Sequence, residues 1–210
     1  MGDVANIYIS LTFYLMKTII FDIDGTLTNM WPIEKSVLLC MTGGNYQNTI
    51  EELKKNGISE TYKIFLKVSR KKFSKRKYFS LYNKIFRRLR NLPELEYYPT
   101  IDWIKKNQSN YSFVYATGGQ KSETEYALKQ FGLISFFDLE NSVSKSNYRY
   151  SKKTGKPFKR IKMKYSDCFL VTDSQTDCEG AKLAKIPYYL IKPGQKLKTP
   201  FKIQGSNLII

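Results

Sequence analysis

The stretch Thr18–Thr28, TIIFDIDGTLT, places two carboxylates directly after a short apolar run. Thr18–Phe21 has the β-branched and aromatic character of a buried strand, and Gly25 predicts the turn that follows it. Asp22 and Asp24 then project from the carboxyl end of a strand, where open α/β sheets place their chemistry. Residues i and i+2 of a strand share a face, so these carboxylates repel each other unless a cation or a shared proton intervenes. A DxD pair alone is more often an ordinary acidic loop, so the functional interpretation depends on the rest of the chain.

The composition of the chain limits its domain size, its binding partners and the catalytic mechanisms open to it. A chain of 210 residues can bury one substantial core and has room for a small second domain. Its 35 Lys and Arg residues against 18 Asp and Glu residues leave a net charge of +17, which attracts phosphates, nucleic acid or anionic lipid. The absence of His excludes Ser-His-Asp and Cys-His catalysis and any His-ligated metal. Acid–base work near neutral pH must therefore come from carboxylates, Lys, Tyr or Cys.

Cysteine usage and hydropathy favour a cytoplasmic protein. The three cysteines, Cys40, Cys168 and Cys178, have no CxxC spacing and are odd in number, which is typical of buried free thiols in a reducing cytosol. No apolar run reaches the 18 or more residues that a membrane span needs. Residues 1–15 are expected to be an N-terminal extension, since Met16-Lys17-Thr18 is a more natural start for the domain.

The order of apolar runs predicts an α/β fold. Strand-like runs occur at Thr18–Phe21, Ser112–Ala116, Cys168–Val171 and Tyr188–Ile191. Helical patterns separate the later runs, at Thr100–Asn107, Lys121–Phe131 and Asp177–Lys185. Strands that alternate with helices predict a Rossmann-like parallel sheet with helices on both faces.

A segment of different composition, Trp31–Glu96, lies between the first two strands. It has helical patterns, including Tyr46–Asn56 and Phe73–Asn91, and no convincing strand. From Thr61 to Pro93 it contains no Asp or Glu. We therefore predict a small, strongly basic helical domain over residues 31–96, inserted into a core formed by residues 16–30 and 97–210.

Four motifs occur in a fixed order along the chain. FDIDGTLT is followed by VYATGG, which contains Thr117 and Gly118, then by the basic stretch SKKTGKPFK, and last by FLVTDSQTDCEG. With these motifs at the expected strand ends, the chain resembles the haloacid dehalogenase superfamily of phosphatases and phosphomutases. The resemblance covers nearly all of residues 16–195 except the inserted domain, and it implies a Rossmann-like sheet with a mobile helical cap.

The resemblance implies a role for each motif carboxylate. Asp22 would attack phosphorus and form an aspartyl-phosphate, and Asp24 would protonate the leaving oxygen and later deprotonate water. Dehalogenases of this fold lack an acid at the position of Asp24, because halide leaves without protonation, so its presence favours phosphoryl transfer. Mg²⁺ would be held by Asp22, the Asp24 backbone carbonyl and Asp173.

The remaining motif residues are implied to bind phosphate or to support the site. Thr117, the Gly118 amide and Lys156 would bind phosphate oxygens and neutralise their charge. Asp177 would orient the lysine or a metal-bound water, unless it is only a residue favoured by a helix terminus.

The chain departs from the family pattern at two places. The family more often has Gly before the last motif aspartate, whereas this chain has Thr172, which puts a side chain close to the metal loop. The segment from Lys156 to Asp173 is also several residues short, which leaves Lys153 and Lys159 as alternatives for the motif lysine.

The expected function is a Mg²⁺-dependent phosphatase that hydrolyses a small, anionic phosphate monoester. A phosphomutase is the alternative within enzymes, because it uses the same residues and returns the phosphoryl group to its substrate. A protein that binds nucleic acid or an anionic surface through the basic domain is the alternative from another class.

Overall fold

A computed structural model of the chain describes residues 17–70 and 72–197, so the predicted extension over residues 1–15 lies outside the described residues. The chain divides into two compact units. The core unit includes described residues 17–29 and 96–197, and the helical unit spans Met30–Leu95.

The elements follow one another in the order β1 (Thr18–Phe21), α1 (Trp31–Met41), α2 (Gln47–Lys55), α3 (Thr61–Ser69), α4 (Lys75–Phe86), α5 (Pro99–Asn107), β2 (Ser112–Tyr115), α6 (Lys121–Gln130), α7 (Lys156–Lys164), β3 (Cys168–Thr172), α8 (Gln175–Leu183) and β4 (Tyr188–Leu190). Two short 3₁₀ turns, Ile134–Phe136 and Lys152–Thr154, precede α7.

The core unit is built on a parallel sheet with the strand order β2-β1-β3-β4. The central strand β1 is fully buried because it is paired on both sides and its residues are apolar or β-branched. The predicted α/β fold with a parallel sheet is confirmed. All four predicted strands are present, with ends that agree to within one residue.

One helix of the core unit, α7, does not appear among the sequence-based predictions. Six of its nine residues, KPFKRIKMK, are Lys, Arg or Pro, so its apolar signal is weak. Only Pro157, Phe158 and Ile161 are buried, and their burial against the core determines the helix.

The helical unit is organised around aromatic residues of α4. Tyr78, Tyr82 and Phe86 recur every four residues and are buried, which gives the helix one apolar face. The Ser74 side chain caps the helix by accepting a hydrogen bond of 3.3 Å from the Lys77 amide. The charged residues of α4 consequently remain on its outer surface.

None of the helices within residues 17–70 and 72–197 combines the length and the apolar character that a membrane span requires. Cys168 and Cys178 are buried free thiols, as predicted, whereas Cys40 is exposed near the end of α1. Burial raises the pKa of the Cys168 thiol to about 12, so this thiol is protonated at neutral pH.

Candidate active site

The carboxyl ends of three neighbouring strands meet at one edge of the sheet. Phe21, at the end of β1, pairs with Tyr115 of β2 and with Val171 of β3. The ladder continues one step further, because the Asp22 amide donates a hydrogen bond of 3.0 Å to the Val171 carbonyl. The residues that follow the strands, including Asp22, Thr117 and Asp173, are therefore brought to the same edge, as the strand-end rule predicts.

Asp22 is held in a defined orientation at this edge. Its side chain is only 5% exposed. The Oδ1 atom accepts a hydrogen bond of 2.8 Å from the Ile23 amide and lies 2.7 Å from the Lys152 Nζ atom. Both contacts are made by Oδ1, so the carboxylate is held in place through one of its two oxygens.

Lys152 bridges two acidic groups that follow different strands. Its Nζ atom forms ion pairs with Asp22 Oδ1 and with Asp177 Oδ2. Burial lowers the pKa of the Lys152 ammonium, but the charges of Asp22 and Asp177 outweigh burial and raise it above the ordinary value. The lysine is therefore a fixed positive charge beside Asp22.

The sequence-based choice, Lys156, does not take part in these two ion pairs. Lys156 is exposed at the start of α7, with its Nζ atom 4.0 Å from the centre of the Tyr150 ring. Of the two alternatives, Lys153 lies 3.9 Å from Glu179 Oε2 and Lys159 is exposed on α7. The sequence did contain a signal for Lys152. The segment from Lys156 to Asp173 is several residues shorter than the family pattern, and it becomes four residues longer when Lys152 is taken as the motif lysine.

Two glycines allow the 3₁₀ turn that carries Lys152 to pack against α8. A Cβ atom at Gly180 would overlap the carbonyl oxygen of Lys152 and lie 3.0 Å from the Phe158 ring. Gly155 has a φ of +69°, and a Cβ atom there would lie 2.7 Å from the Gly180 carbonyl oxygen. The backbone of Lys152 approaches α8 this closely only because both positions lack a side chain.

Asp173 lies against the loop that contains the DxD pair. Its amide donates a hydrogen bond of 3.2 Å to Thr26 Oγ1, and a Cβ atom at Gly25 would overlap its carboxylate. Burial and the negative charges of Asp22 and Asp24 raise the pKa of the Asp173 carboxyl to about 6, although Lys152 opposes them. Thr26, which the motif reading left without a role, is thus the residue that ties the first motif to the last.

Asp177 is part of the same buried network. Ser174 caps α8, and Asp177, in the first turn, is only 3% exposed. Its Oδ2 atom contacts Lys152 and accepts a hydrogen bond of 3.2 Å from the hydroxyl of Thr172. Burial and the charge of Asp22 raise the pKa of Asp177, and Lys152 counteracts them. Thr172, the departure from the family pattern, therefore contacts Asp177.

The second motif supplies a polar turn after β2. Thr117 is buried, and its Oγ1 atom accepts a hydrogen bond of 3.0 Å from the Gly119 amide. Gly118 between them is exposed, as is the Asp24 side chain after β1. Among the predicted site residues, Asp22, Thr117 and Asp177 are buried and Asp173 is half-buried. The exposed ones are Asp24, Gly118 and Lys156.

A family model for haloacid dehalogenase-like hydrolases matches residues 19–191, which is most of the chain. The chain belongs to the haloacid dehalogenase-like hydrolase family. The match begins in β1 and ends just after β4, so this hydrolase family accounts for the whole sheet and for all four motifs.

Solved structures support the fold of this family member. A HAD hydrolase of family IA, variant 3, from Entamoeba histolytica is 17% identical with a TM-score of 0.65, over 93% of this chain and 92% of that one. A predicted phosphoglycolate phosphatase from Haemophilus somnus is 21% identical with a TM-score of 0.61, over 85% of this chain and 86% of that one. A candidate beta-phosphoglucomutase from Thermotoga maritima is 18% identical with a TM-score of 0.57, over 88% of this chain and 89% of that one. The search of curated proteins found no significant match.

The donor set that the haloacid dehalogenase-like family implies for Mg²⁺ fits this edge of the sheet. Within residues 17–70 and 72–197, no group of three or more His, Cys, Asp or Glu side chains is arranged to hold a metal ion. The implied set is smaller, with carboxylates from Asp22 and Asp173 and the backbone carbonyl of Asp24. These are hard oxygen donors. Burial raises the pKa of Asp173 most, and the negative charges of Asp22 and Asp24, which a divalent cation would offset, raise it further.

Proposed function

We propose that the protein is a Mg²⁺-dependent phosphatase that hydrolyses a small phosphate monoester through an aspartyl-phosphate on Asp22. The observation that carries this proposal is the buried Asp22 carboxylate with the Lys152 ammonium 2.7 Å from one of its oxygens. An ordinary acidic loop would leave Asp22 exposed, whereas a nucleophile needs this fixed orientation.

In the first displacement, an oxygen of Asp22 attacks phosphorus and the bond from phosphorus to the leaving oxygen breaks. Lys152, the Thr117 hydroxyl and the Gly118 amide stabilise the negative charge on the transferred group. Asp24 in its protonated form donates a proton to the leaving oxygen, so the alcohol departs neutral.

In the second displacement, a water molecule attacks the phosphorus of the aspartyl-phosphate and the bond to Asp22 breaks. Asp24, now ionised, accepts the proton of that water, which returns both carboxyl groups to their starting states. Asp22, Asp173 and the Asp24 backbone carbonyl would hold Mg²⁺, which would offset the negative charge of the transferred group. Asp177 and Thr172 keep the Lys152 ammonium in place, supported by their contacts within the buried network.

The helical unit is proposed to be the cap that the family resemblance implies. Its exposed cations favour a substrate with several negative charges. The three free thiols favour a cytoplasmic enzyme.

A phosphomutase remains the second candidate, since a neighbour in fold is a candidate beta-phosphoglucomutase and the same residues would serve both reactions. The two activities differ in the acceptor of the phosphoryl group. A phosphatase releases inorganic phosphate from the aspartyl-phosphate, whereas a mutase returns the group to a phosphorylated substrate.

The test is hydrolysis of p-nitrophenyl phosphate by the parent protein and by D22N and D24N, with Mg²⁺ and with a chelator. We expect phosphate release that depends on Mg²⁺, loss of turnover in D22N, and a decrease of about 10² to 10⁴-fold in D24N. Radioactive phosphate on acid-quenched parent protein, absent from D22N, would identify the nucleophile. The absence of Mg²⁺-dependent turnover across a panel of phosphorylated sugars, nucleotides and cofactors would contradict the proposal.

A further inference from the structure

The helical unit carries more positive charge than a small phosphate monoester can engage. The 66 residues Met30–Leu95 contain 15 Lys and Arg residues but only five Asp and Glu residues, which gives +10 of the total charge of +17. Within them, Thr61–Pro93 contains 12 Lys and Arg residues and no acid. Ordinary surfaces intersperse both signs, so this segment is unusual.

The described cations of this segment are all exposed to solvent. In the described part of Thr61–Pro93 the exposed cations, which we call the basic surface, are Lys63, Lys67, Arg70, Lys72, Lys75, Arg76, Lys77, Lys84, Arg87, Arg88 and Arg90. On α4, the buried Tyr78, Tyr82 and Phe86 occupy the inner side of the helix, so the four cations of that helix face outward. The described cations of this segment are therefore all on the outside of the helical unit.

Within the described residues, few cations of the basic surface are paired with an acidic side chain. Glu60, directly before the segment, contacts Lys63 and Lys75, each at 3.2 Å. Within the described residues, the basic surface forms no further ion pair. Nine of the eleven cations thus remain available to an external polyanion.

The dimensions of the surface suit a repeating anion. The 12 residues of α4 extend over about 18 Å, and cations lie at both of its ends. A strand of duplex nucleic acid presents one phosphate about every 3.4 Å along the axis, so about five phosphates pass along a helix of this length. At the start of α4, an open cavity of about 530 Å³ is lined by Leu66, Arg70, Lys72, Phe73 and Ser74.

The same surface lacks the features of a lipid-binding face. The exposed large apolar residues of the described chain are Tyr46, Tyr97, Met163, Leu183 and Leu190, all of which lie outside Thr61–Pro93. Peripheral membrane helices add apolar side chains that enter the bilayer, and none is exposed here among the described residues.

We propose that the basic surface of the helical unit binds nucleic acid through its phosphodiester backbone, without reading the base sequence. This inference goes beyond the phosphatase activity and does not depend on it. Binding of this kind releases counterions, so its affinity falls steeply with salt.

The test uses fluorescence anisotropy with a labelled DNA duplex of about 20 base pairs that has no terminal phosphate, over about 50 to 200 mM KCl. The surface variant changes Lys67, Lys72, Lys77 and Lys84 to Gln. The matched control changes four exposed lysines of the core unit, Lys106, Lys129, Lys164 and Lys192, to Gln. Both variants lower the net charge by four. A difference between their affinities for the duplex therefore reports the position of the lysines and not the total charge.

We expect the surface variant to bind at least about tenfold more weakly at 100 mM KCl and to lose about 3 to 4 from the slope of log affinity against log salt. We expect the control to change affinity by less than about threefold, on the same principle. If circular dichroism shows that the surface variant is unfolded, the Gln variant of Arg70, Arg76, Arg87 and Arg88 replaces it.

Equal losses in the two variants would overturn the proposal, because they would indicate attraction by total charge alone. Failure of the parent protein to bind the duplex would also overturn it. So would tighter binding to phosphatidylserine vesicles than to the duplex, with that binding lost in the surface variant, since the occupant would then be a membrane.

Discussion

At the scale of single residues, the position of one lysine decides the electrostatics of the site. Lys152 lies 130 positions from Asp22 in the chain, yet its Nζ atom is 2.7 Å from Asp22 Oδ1. Six other cations occur within the same basic stretch of sequence, from Lys145 to Arg160. Lys152 differs from them because it is largely buried and contacts two carboxylates.

We predict that K152Q lowers kcat for p-nitrophenyl phosphate by at least about 100-fold, because the transferred phosphoryl group loses its fixed positive charge. The variant should also melt at a lower temperature, since Asp22 and Asp177 lose their buried partner. K156Q is the matched control and should change kcat by less than about twofold, because Lys156 is exposed and its ammonium lies over the Tyr150 ring. Inactivity of K156Q together with an active K152Q would contradict this assignment.

A second prediction at this scale concerns pH and Mg²⁺. The pKa of Asp173 rises from 3.8 to about 6 on folding. Between these values the folded protein binds the proton more tightly than the unfolded chain does, so without metal the free energy of unfolding falls as pH rises through this window. Mg²⁺ binds the ionised carboxylate and should therefore raise the melting temperature more at about pH 8 than at about pH 5. At fifty times its Kd, the metal would add about 2 kcal/mol to the free energy of unfolding.

The measurement is thermal unfolding with Mg²⁺ and with EDTA at both pH values. D173N should lose the Mg²⁺-dependent stabilisation. D138N should keep it, because Asp138 is bound to Tyr165 and to the Asn141 amide in another part of the core unit. An equal response of the parent and D173N to Mg²⁺ would remove Asp173 from the metal site.

At the scale of elements, the contact between α8 and the 3₁₀ turn Lys152–Thr154 determines where the lysine is held. Gly180 sits in the middle of α8, where glycine usually costs about 1 kcal/mol of stability relative to alanine. Here the missing side chain makes room for the carbonyl oxygen of Lys152. Packing between the two elements thus outweighs helix propensity.

We predict that G180A destabilises the protein and lowers kcat by at least about tenfold, because the new methyl group displaces the turn and moves the Lys152 ammonium away from Asp22. The opposite sign of the stability change would be expected from helix propensity alone. The matched control is E179A, the adjacent exposed position on α8, which should change both quantities little. Urea unfolding measures the stability change, and p-nitrophenyl phosphate kinetics measure kcat. A G180A variant that is stabilised and fully active would disprove the packing argument.

At the scale of the whole molecule, a net charge of +17 is distributed unequally, with +10 on the helical unit. We predict that kcat/KM for p-nitrophenyl phosphate changes by less than about threefold between about 50 and 200 mM KCl, because a small ester makes few phosphate contacts. Affinity for a nucleic-acid duplex should fall by at least about 100-fold over the same range. Parallel declines in the two measurements would show that the catalytic site itself depends on the surface charge.

The sequence determined the features that depend on neighbours along the chain. Alternation of apolar runs and helical patterns predicted the parallel sheet, and the strand ends predicted that Asp22, Thr117 and Asp173 follow β1, β2 and β3, because strand burial and turn chemistry are local properties. Only the tertiary structure decided which lysine meets Asp22, that Gly180 admits the backbone of Lys152, and that Thr26 contacts Asp173 across 147 positions. These contacts depend on distances between elements, which result from packing and leave no periodic pattern in the residues that make them.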